Sequence, residues 1–232
     1  MNEFAYIDEN LKRIREAAAV AAAKSPYGQE YEISLATKYA SVEEINYARS
    51  LGINKIGENR VQSLLEKYDK LDKDGLDIHF IGTLQRNKVK YIIDKVSMIE
   101  SLDSLELARE IDKQAAKHGI VMDCLIEVNI GDEEAKGGVS KNDVASFVDA
   151  LAEFKHIRIC GIMTMAPKCT EIDEYRKYFK ESYNIFIDIC EKKLHNVNRC
   201  ILSMGMSESF PAALREGANL IRVGRAAFQK EK

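Results

Sequence analysis

The feature that most constrains this chain is an eightfold alternation. Short runs rich in branched apolar residues recur at 33–37, 54–57, 78–82, 96–100, 124–130, 157–163, 200–204 and 220–223. Between them, apolar residues return at every third or fourth position, as at Val42, Ile45, Ala48 and Leu51, at Leu105, Ala108, Ile111 and Ala115, and at Val144, Phe147, Val148 and Leu151. That spacing lays apolar side chains along one face of a helix. The strand runs are nearly continuous in polarity rather than alternating, which marks strands buried on both faces beneath covering helices. Eight such units predict an α/β protein of the (β/α)8 TIM barrel class. The run at 54–57 is the weakest, since Ile56 is its one strongly apolar residue. A doubly wound open sheet is the alternative, and the lack of a GxGxxG after any strand counts against it.

Ahead of the first strand, Ile7, Leu11, Ile14 and Ala18 are spaced by four, three and four. They predict a long extra N-terminal helix within residues 1–26, packed on the barrel. Fewer than ten residues follow the last strand run, so the closing helix must be short, and the N-terminal helix is expected to cover the surface it leaves. The 232 residues, 46% hydrophobic, can bury one substantial core. No linker, repeat or low-complexity segment divides them, so the expectation is a single domain over 1–232.

Lys and Arg number 34 against 37 Asp and Glu, and no basic run interleaved with aromatics is present, which argues against nucleic acid as a partner. The five cysteines, Cys124, Cys160, Cys169, Cys190 and Cys200, are odd in number and contain no CxxC, which suits a reducing cytosol. His79, His118, His156 and His195 lie far apart and match no zinc spacing, so no metal is expected. The small-residue stretch 17–23 is preceded by acids and is not a secretory core, and no run reaches the roughly 18 apolar residues that cross a bilayer. The expectation is a cytoplasmic protein with no membrane contact.

Lys38 follows the first apolar run, where a buried strand emerges at the C-terminal face of a parallel barrel and ligands gather. An amine partly desolvated there loses its proton more readily and can form a Schiff base, whereas a fully solvated Lys38 would be a surface cation. After the seventh strand come Gly205, Met206 and Ser207, then a short helix starting near Pro211 and ending before Gly217. The eighth strand ends in Arg222, Val223, Gly224 and Arg225. Barrels often bind a phosphate between these two loops, at helix N-termini with exposed N–H groups. The plainer reading makes Ser207 an N-cap and Gly224 a tight turn. In a closed barrel the eighth strand lies beside the first, so Lys38 would stand next to the anion, an arrangement suited to a phosphorylated aldehyde such as pyridoxal phosphate. Arg222 could then oppose protonation of the pyridine nitrogen, or pair structurally with Glu58 or Glu127.

The ordered set Ala36, Thr37, Lys38; Gly57, Glu58, Asn59; His79, Phe80, Ile81, Gly82; Gln85, Asn87, Lys88; Lys136, Gly137, Gly138; Gly161, Ile162, Met163; and Leu202 through Ser207 resembles the YggS/PROSC-type pyridoxal phosphate homeostasis proteins. These are relatives of the alanine racemase N-terminal barrel. The resemblance implies that Lys38 forms the Schiff base, and that Ser207 with the amides around Gly224 and Arg225 holds the phosphate. It also implies that Arg222 faces the pyridine nitrogen and that Asn59, His79, Met163 and Met206 lie near the cofactor. Two positions depart from the family pattern. Arg225 stands where a hydroxyl residue is common, and Gln229 replaces a glycine.

Family members are single-domain barrels without the racemase's second domain and its tyrosine, and this chain ends at Lys232. A two-base racemase needs a proton donor on each side of the substrate carbon, and Lys38 serves only one. The resemblance therefore implies a monomeric protein that binds, stores or delivers pyridoxal phosphate with little or no turnover. Amino acids and apo-enzymes that use the cofactor are its candidate partners. The alternatives are a low-activity amino-acid racemase using Tyr39 or Tyr47, a Schiff-base aldolase for phosphorylated sugars, and an interaction module. The loop 131–138 is either a mobile cover or, as read here, a solvated connection.

Overall fold

In a computed structural model, residues 3–133, 137–192 and 197–230 are described, with backbone alone at 197–199. The elements run α1 (Ala5–Ala22), β1 (Glu32–Ala36), α2 (Val42–Ser50), β2 (Lys55–Glu58), α3 (Val61–Tyr68), β3 (Asp77–Phe80), a 3-10 turn (Arg86–Tyr91), β4 (Met98–Leu102) and α4 (Leu105–His118). They continue with β5 (Met122–Asn129), β6 (Val139–Ser140), α5 (Val144–Leu151), β7 (Ile157–Thr164), α6 (Ile172–Cys190), β8 (Val197–Ser203), α7 (Phe210–Arg215), β9 (Leu220–Val223) and α8 (Arg225–Phe228).

Every strand pairing is parallel, in the order β4-β3-β2-β1-β9-β8-β7-β5, and β4 pairs with β5 to close the ring. All eight expected strands are present within a few residues of their expected places. β6 was not expected; it is a two-residue strand that pairs with the C-terminal end of β5, Val128 opposite Val139. The first and last barrel strands are joined over four register pairs, from Glu32 opposite Leu220 to Leu35 opposite Val223. This seam sets the loop after β1 beside the loop after β9.

Local chemistry explains where the helices begin. Ser41 accepts the Glu44 N–H at 3.2 Å while the Glu44 carboxylate accepts the Ser41 N–H at 2.7 Å, a reciprocal cap that starts α2. Ser104 caps α4, and Gly119 ends it in the left-handed region at φ 66°. Helix α1 buries Ile7, Leu11, Ile14 and Ala18, the residues whose spacing predicted it. Its Asn10 side-chain amide donates to the carbonyls of Ala227 (3.1 Å) and Gln229 (3.0 Å), which ties it over the short α8.

Side chains sort between two layers by the two-residue period of a strand. Ile78, Phe80, Ile99, Ile126, Ile162, Leu202, Ile221 and Val223 belong to the large cluster between barrel and helices. Met98, Leu125, Cys160 and Met163 form a separate small cluster with Ile201 inside the barrel. On β7 the alternation is broken: Cys160 and Met163, three residues apart, both join the small inner cluster, and the pairing with β8 shifts register between Ile159 and Gly161. The φ of Gly161 is +134°, and a Cβ there would stand 2.0 Å from the Ile201 carbonyl oxygen.

Two expectations are corrected. Cys190 at the end of α6 and Cys200 on β8 form a disulfide with Cα atoms 6.0 Å apart, so the cysteines are not the wholly reduced set read from their spacing, although Cys124, Cys160 and Cys169 are free. The segment after β3 forms a 3-10 turn in place of a full helix. Of the loop 131–138, residues 134–136, including the marker Lys136, lie outside the described residues, as does His195. Among the described residues no helix is long and apolar enough to cross a membrane.

Candidate functional site

One step beyond the interior apolar cluster, toward the C-terminal ends of the strands, the inward positions turn polar. Glu100 follows Met98 by two, Glu127 follows Leu125 by two, and Ser203 follows Ile201 by two. His79 and Arg222 alternate in the same way with outward-facing neighbours. All five are buried. Glu100 is the hub of this layer. One of its carboxylate oxygens lies 2.6 Å from His79 Nδ1, and the other accepts the Ser203 hydroxyl at 2.6 Å. Arg222 donates to Ser203 Oγ and, at 3.0 Å, to the Thr164 carbonyl, and its guanidinium is 3.7 Å from Glu100.

The electrostatics of the layer follow from its burial. Desolvation alone would raise the Glu100 carboxyl, but the hydrogen bond and charge of His79, then the charge of Arg222 and the hydrogen bond of Ser203, outweigh it and hold Glu100 below the ordinary carboxylate value. Desolvation pushes the Arg222 guanidinium down, opposed by Glu100 and Glu127. Glu127 is raised to about 7 by burial and by the nearby Asp103 charge, against the pull of Arg222.

Arg222 forms part of the floor of a cleft of about 480 Å³ at the C-terminal rim, also lined by Lys38, Tyr39, Tyr175, Met206, Ser207, Gly224, Arg225, Phe228 and Gln229. Six of the nine expected site residues, Lys38, Met206, Ser207, Arg222, Gly224 and Arg225, therefore meet in one place. The Ser207 hydroxyl accepts the Ala226 N–H at 3.2 Å, which stitches the loop after β8 to the start of α8. Among the described residues no carbonyl accepts from the N–H groups of Ser207, Gly224 or Arg225. A Cβ on Gly224 would stand 2.8 Å from the Ala36 carbonyl oxygen, so only glycine lets the loop lie this close to β1.

The structure departs from several expectations here. Lys38 is exposed rather than partly desolvated, on a turn just past β1 with its ammonium 4.9 Å over the Tyr39 ring. The start of α7 does not present the row of free N–H groups that was expected. That end is closed on itself, with Ser209 and Phe210 donating to the Met206 carbonyl and Ser209 Oγ accepting the Met206 N–H. Ser207 is thus not the N-cap of α7. Arg225 pairs with Glu208 at 3.1 Å, and both exposed side chains line the cleft. Glu58 does not pair with Arg222; it faces the helix layer, where it meets Lys67.

The other expected residues lie apart from the cleft wall. His79 acts on it through Glu100. Met163 is sealed in the interior cluster, and Asn59 lines a neighbouring depression with its buried Oδ1 unpartnered. Tyr39 lines the cleft, whereas the Tyr47 hydroxyl donates to Asp8 at 2.6 Å on the α1 side. The sequence reading missed Glu100, Tyr175 and Phe228. A lone acid inside the apolar run 96–100 was the available signal for Glu100.

The family profile described as "Alanine racemase, N-terminal domain" matches residues 4–231. A pyridoxal phosphate homeostasis protein of Aquifex aeolicus is 39% identical over 225 residues, covering 97% of this chain and 98% of that protein. The solved structure of PipY from Synechococcus elongatus with PLP bound superposes with a TM-score of 0.82 at 26% identity, covering 96% of this chain and 99% of that one. An alanine racemase of Clostridium difficile superposes with a TM-score of 0.76 at 16% identity over 98% of this chain and 57% of its own, a likeness of fold.

Proposed function

This chain belongs to the alanine racemase N-terminal domain family, and from that premise we propose that it binds pyridoxal phosphate for cofactor homeostasis, holding it through Lys38 with little or no turnover. The observation that carries the proposal is the shared cleft. A primary amine, a serine hydroxyl and three unengaged backbone N–H groups surround one space above a buried guanidinium. Its chemistry fits the group, because backbone amides and a hydroxyl suit a phosphate, and Gly224 lets its loop lie against β1 beside Lys38. The naming of the Aquifex relative and the bound state of PipY point the same way.

When bound, pyridoxal phosphate supplies an aldehyde and a ring that can accept electrons. Lys38 would hold the aldehyde through its amine, and Ser207 with the N–H groups of Ser207, Gly224 and Arg225 would hold the phosphate, with Met206 against the ligand at the rim. Arg222, kept charged and fixed by Glu100, Ser203 and Thr164, would face the ring nitrogen and disfavour a proton there. A ring held in that state is a poor electron sink, which suits storage over catalysis. His79 would serve by holding Glu100, Met163 by packing in the apolar layer beneath it, and Asn59 through its free acceptor in the neighbouring depression. We assign the protein to the cytoplasm as a monomer whose partners are pyridoxal phosphate, amino acids and, in transient contact, the apo-enzymes that need the cofactor.

The test is an absorbance spectrum of the purified protein with pyridoxal phosphate before and after borohydride, followed by peptide mapping. The expected result is a reducible chromophore and one adduct, at Lys38. An adduct at another lysine would overturn the site, and the lack of any chromophore would favour an aldolase of phosphorylated sugars.

A further inference from the structure

Glu58 and Lys67 lie outside the cleft, yet both are bound to the residue that precedes its lysine. Thr37 is fully buried, and all of its polar atoms are held. Its N–H donates to the Gly57 carbonyl at 3.0 Å, and its hydroxyl donates to Glu58 Oε1 at 2.8 Å. Its carbonyl accepts both the Ala40 N–H at 3.0 Å, which closes the turn carrying Lys38 and Tyr39, and the Lys67 ammonium at 2.7 Å. Lys67 also reaches Glu58 Oε1 at 2.7 Å, completing a triangle of β1, β2 and α3. The Lys38 side chain has no comparable anchor, since it is exposed and touches the Tyr39 ring. The position of its amine is therefore set by the turn, and the turn is set by this triangle.

Stability gives no sufficient reason for such a pair. Glu58 is 1% exposed and its second carboxylate oxygen is buried without a partner. A buried ion pair with an unsatisfied oxygen is often no better for folding than an apolar pair of the same shape. Polar arrangements of that kind are retained where geometry matters.

We propose that Glu58 and Lys67 are positioning residues that clamp Thr37 and so fix where the Lys38 amine meets an incoming aldehyde. The inference rests on the function proposed above. In the step it governs, the neutral amine of Lys38 bonds to the aldehyde carbon, and the carbonyl oxygen leaves as one water. A displacement of order an ångström in such an encounter slows it by up to about a hundredfold without touching the groups that hold the phosphate.

The experiment compares wild type with the double variant Glu58→Gln/Lys67→Met, which removes both charges together, and with Thr37→Val, which removes only the hydroxyl. Two quantities are measured on each protein. One is the rate of borohydride-trappable capture of pyridoxal phosphate at Lys38. The other is the affinity for pyridoxamine phosphate, which carries the same phosphate and ring but no aldehyde, by equilibrium dialysis. The expected result is a fall in capture rate of at least about tenfold in the double variant and a smaller fall in Thr37→Val, with pyridoxamine phosphate affinity within about twofold of wild type. The single variant Lys67→Arg, which keeps a donor to Thr37, should recover part of the rate. Capture at the wild-type rate, or rate and affinity falling by the same factor, overturns the clamp. Wild-type protein labelled away from Lys38 instead overturns the underlying function, so the two failures are distinguishable.

Discussion

The Arg222 guanidinium lies 3.7 Å from the Glu100 carboxylate, with the Ser203 hydroxyl bridging them as acceptor from one and donor to the other. Both charges are buried inside a barrel whose next layer down is Met98, Leu125, Cys160 and Met163. With His79 on the other Glu100 oxygen, this arrangement holds a cation under the mouth of the cleft.

Arg222→Leu should therefore be among the most damaging single changes in the molecule, because it removes a buried cation and leaves the Glu100 charge with His79 and Ser203 alone. A loss of roughly 3–5 kcal/mol is expected in urea unfolding at neutral pH. Adding Glu100→Gln to Arg222→Leu should recover part of that loss, and a double variant no more stable than the single one would refute the pairing.

The two interior carboxyls should give opposite pH dependences. Glu100 is held below its ordinary value, so its contribution is present above the unfolded carboxylate range and is lost as pH falls through the lower folded value. Glu127, at about 7, binds a proton more tightly folded than unfolded, so its contribution is full below the unfolded carboxylate range and is lost as pH rises toward 7. Glu127→Gln should then raise stability above pH 7 by on the order of 3 kcal/mol while leaving it little changed near pH 4. Denaturation midpoints measured across that range decide the matter.

Ser207→Ala removes a hydroxyl from the proposed phosphate cradle and the acceptor for the Ala226 N–H. Affinity for pyridoxamine phosphate should fall about tenfold to a hundredfold, the range for a hydrogen bond to a charged group. The thermal midpoint should shift only slightly, and calorimetric titration alongside a melting curve separates the two effects.

Gly161→Ala should fail through the barrel wall. The added methyl would sit 2.0 Å from the Ile201 carbonyl oxygen at a φ of +134°, so strands β7 and β8 would have to part. A destabilisation of several kcal/mol, seen as loss of soluble protein or a collapsed urea midpoint, is expected from a backbone clash of this kind, on the order of the largest single-site effects.

The strands were readable because burial on both faces leaves apolar runs with few interruptions, and even the poor run at 54–57 forms β2, with Ile56 as its buried apolar residue and Gly57 and Glu58 beside it. Lys38, Ser207, Arg222 and Gly224 were readable as one site because barrel closure alone brings their loops together. What stayed hidden depends on direction and register. Whether Glu58 faces inward or outward is decided by a one-residue phase, and the partnership of Glu100 with Ser203 spans 103 positions. The self-closed start of α7 was hidden because Ser209, two residues past the expected anion ligand, takes the Met206 N–H instead. The link between Cys190 and Cys200 depends on how α6 leads into β8, which composition does not encode.

The seam from Glu32–Leu220 to Leu35–Val223 joins strands 188 positions apart in sequence. A nascent chain carries Lys38 out of the ribosome long before Ser207 and Gly224 exist, so the cleft they line together has no second wall until β9 emerges. Contacts of such long separation form late, and a translation product halted before β9 would carry Lys38 without the cleft that closes around it.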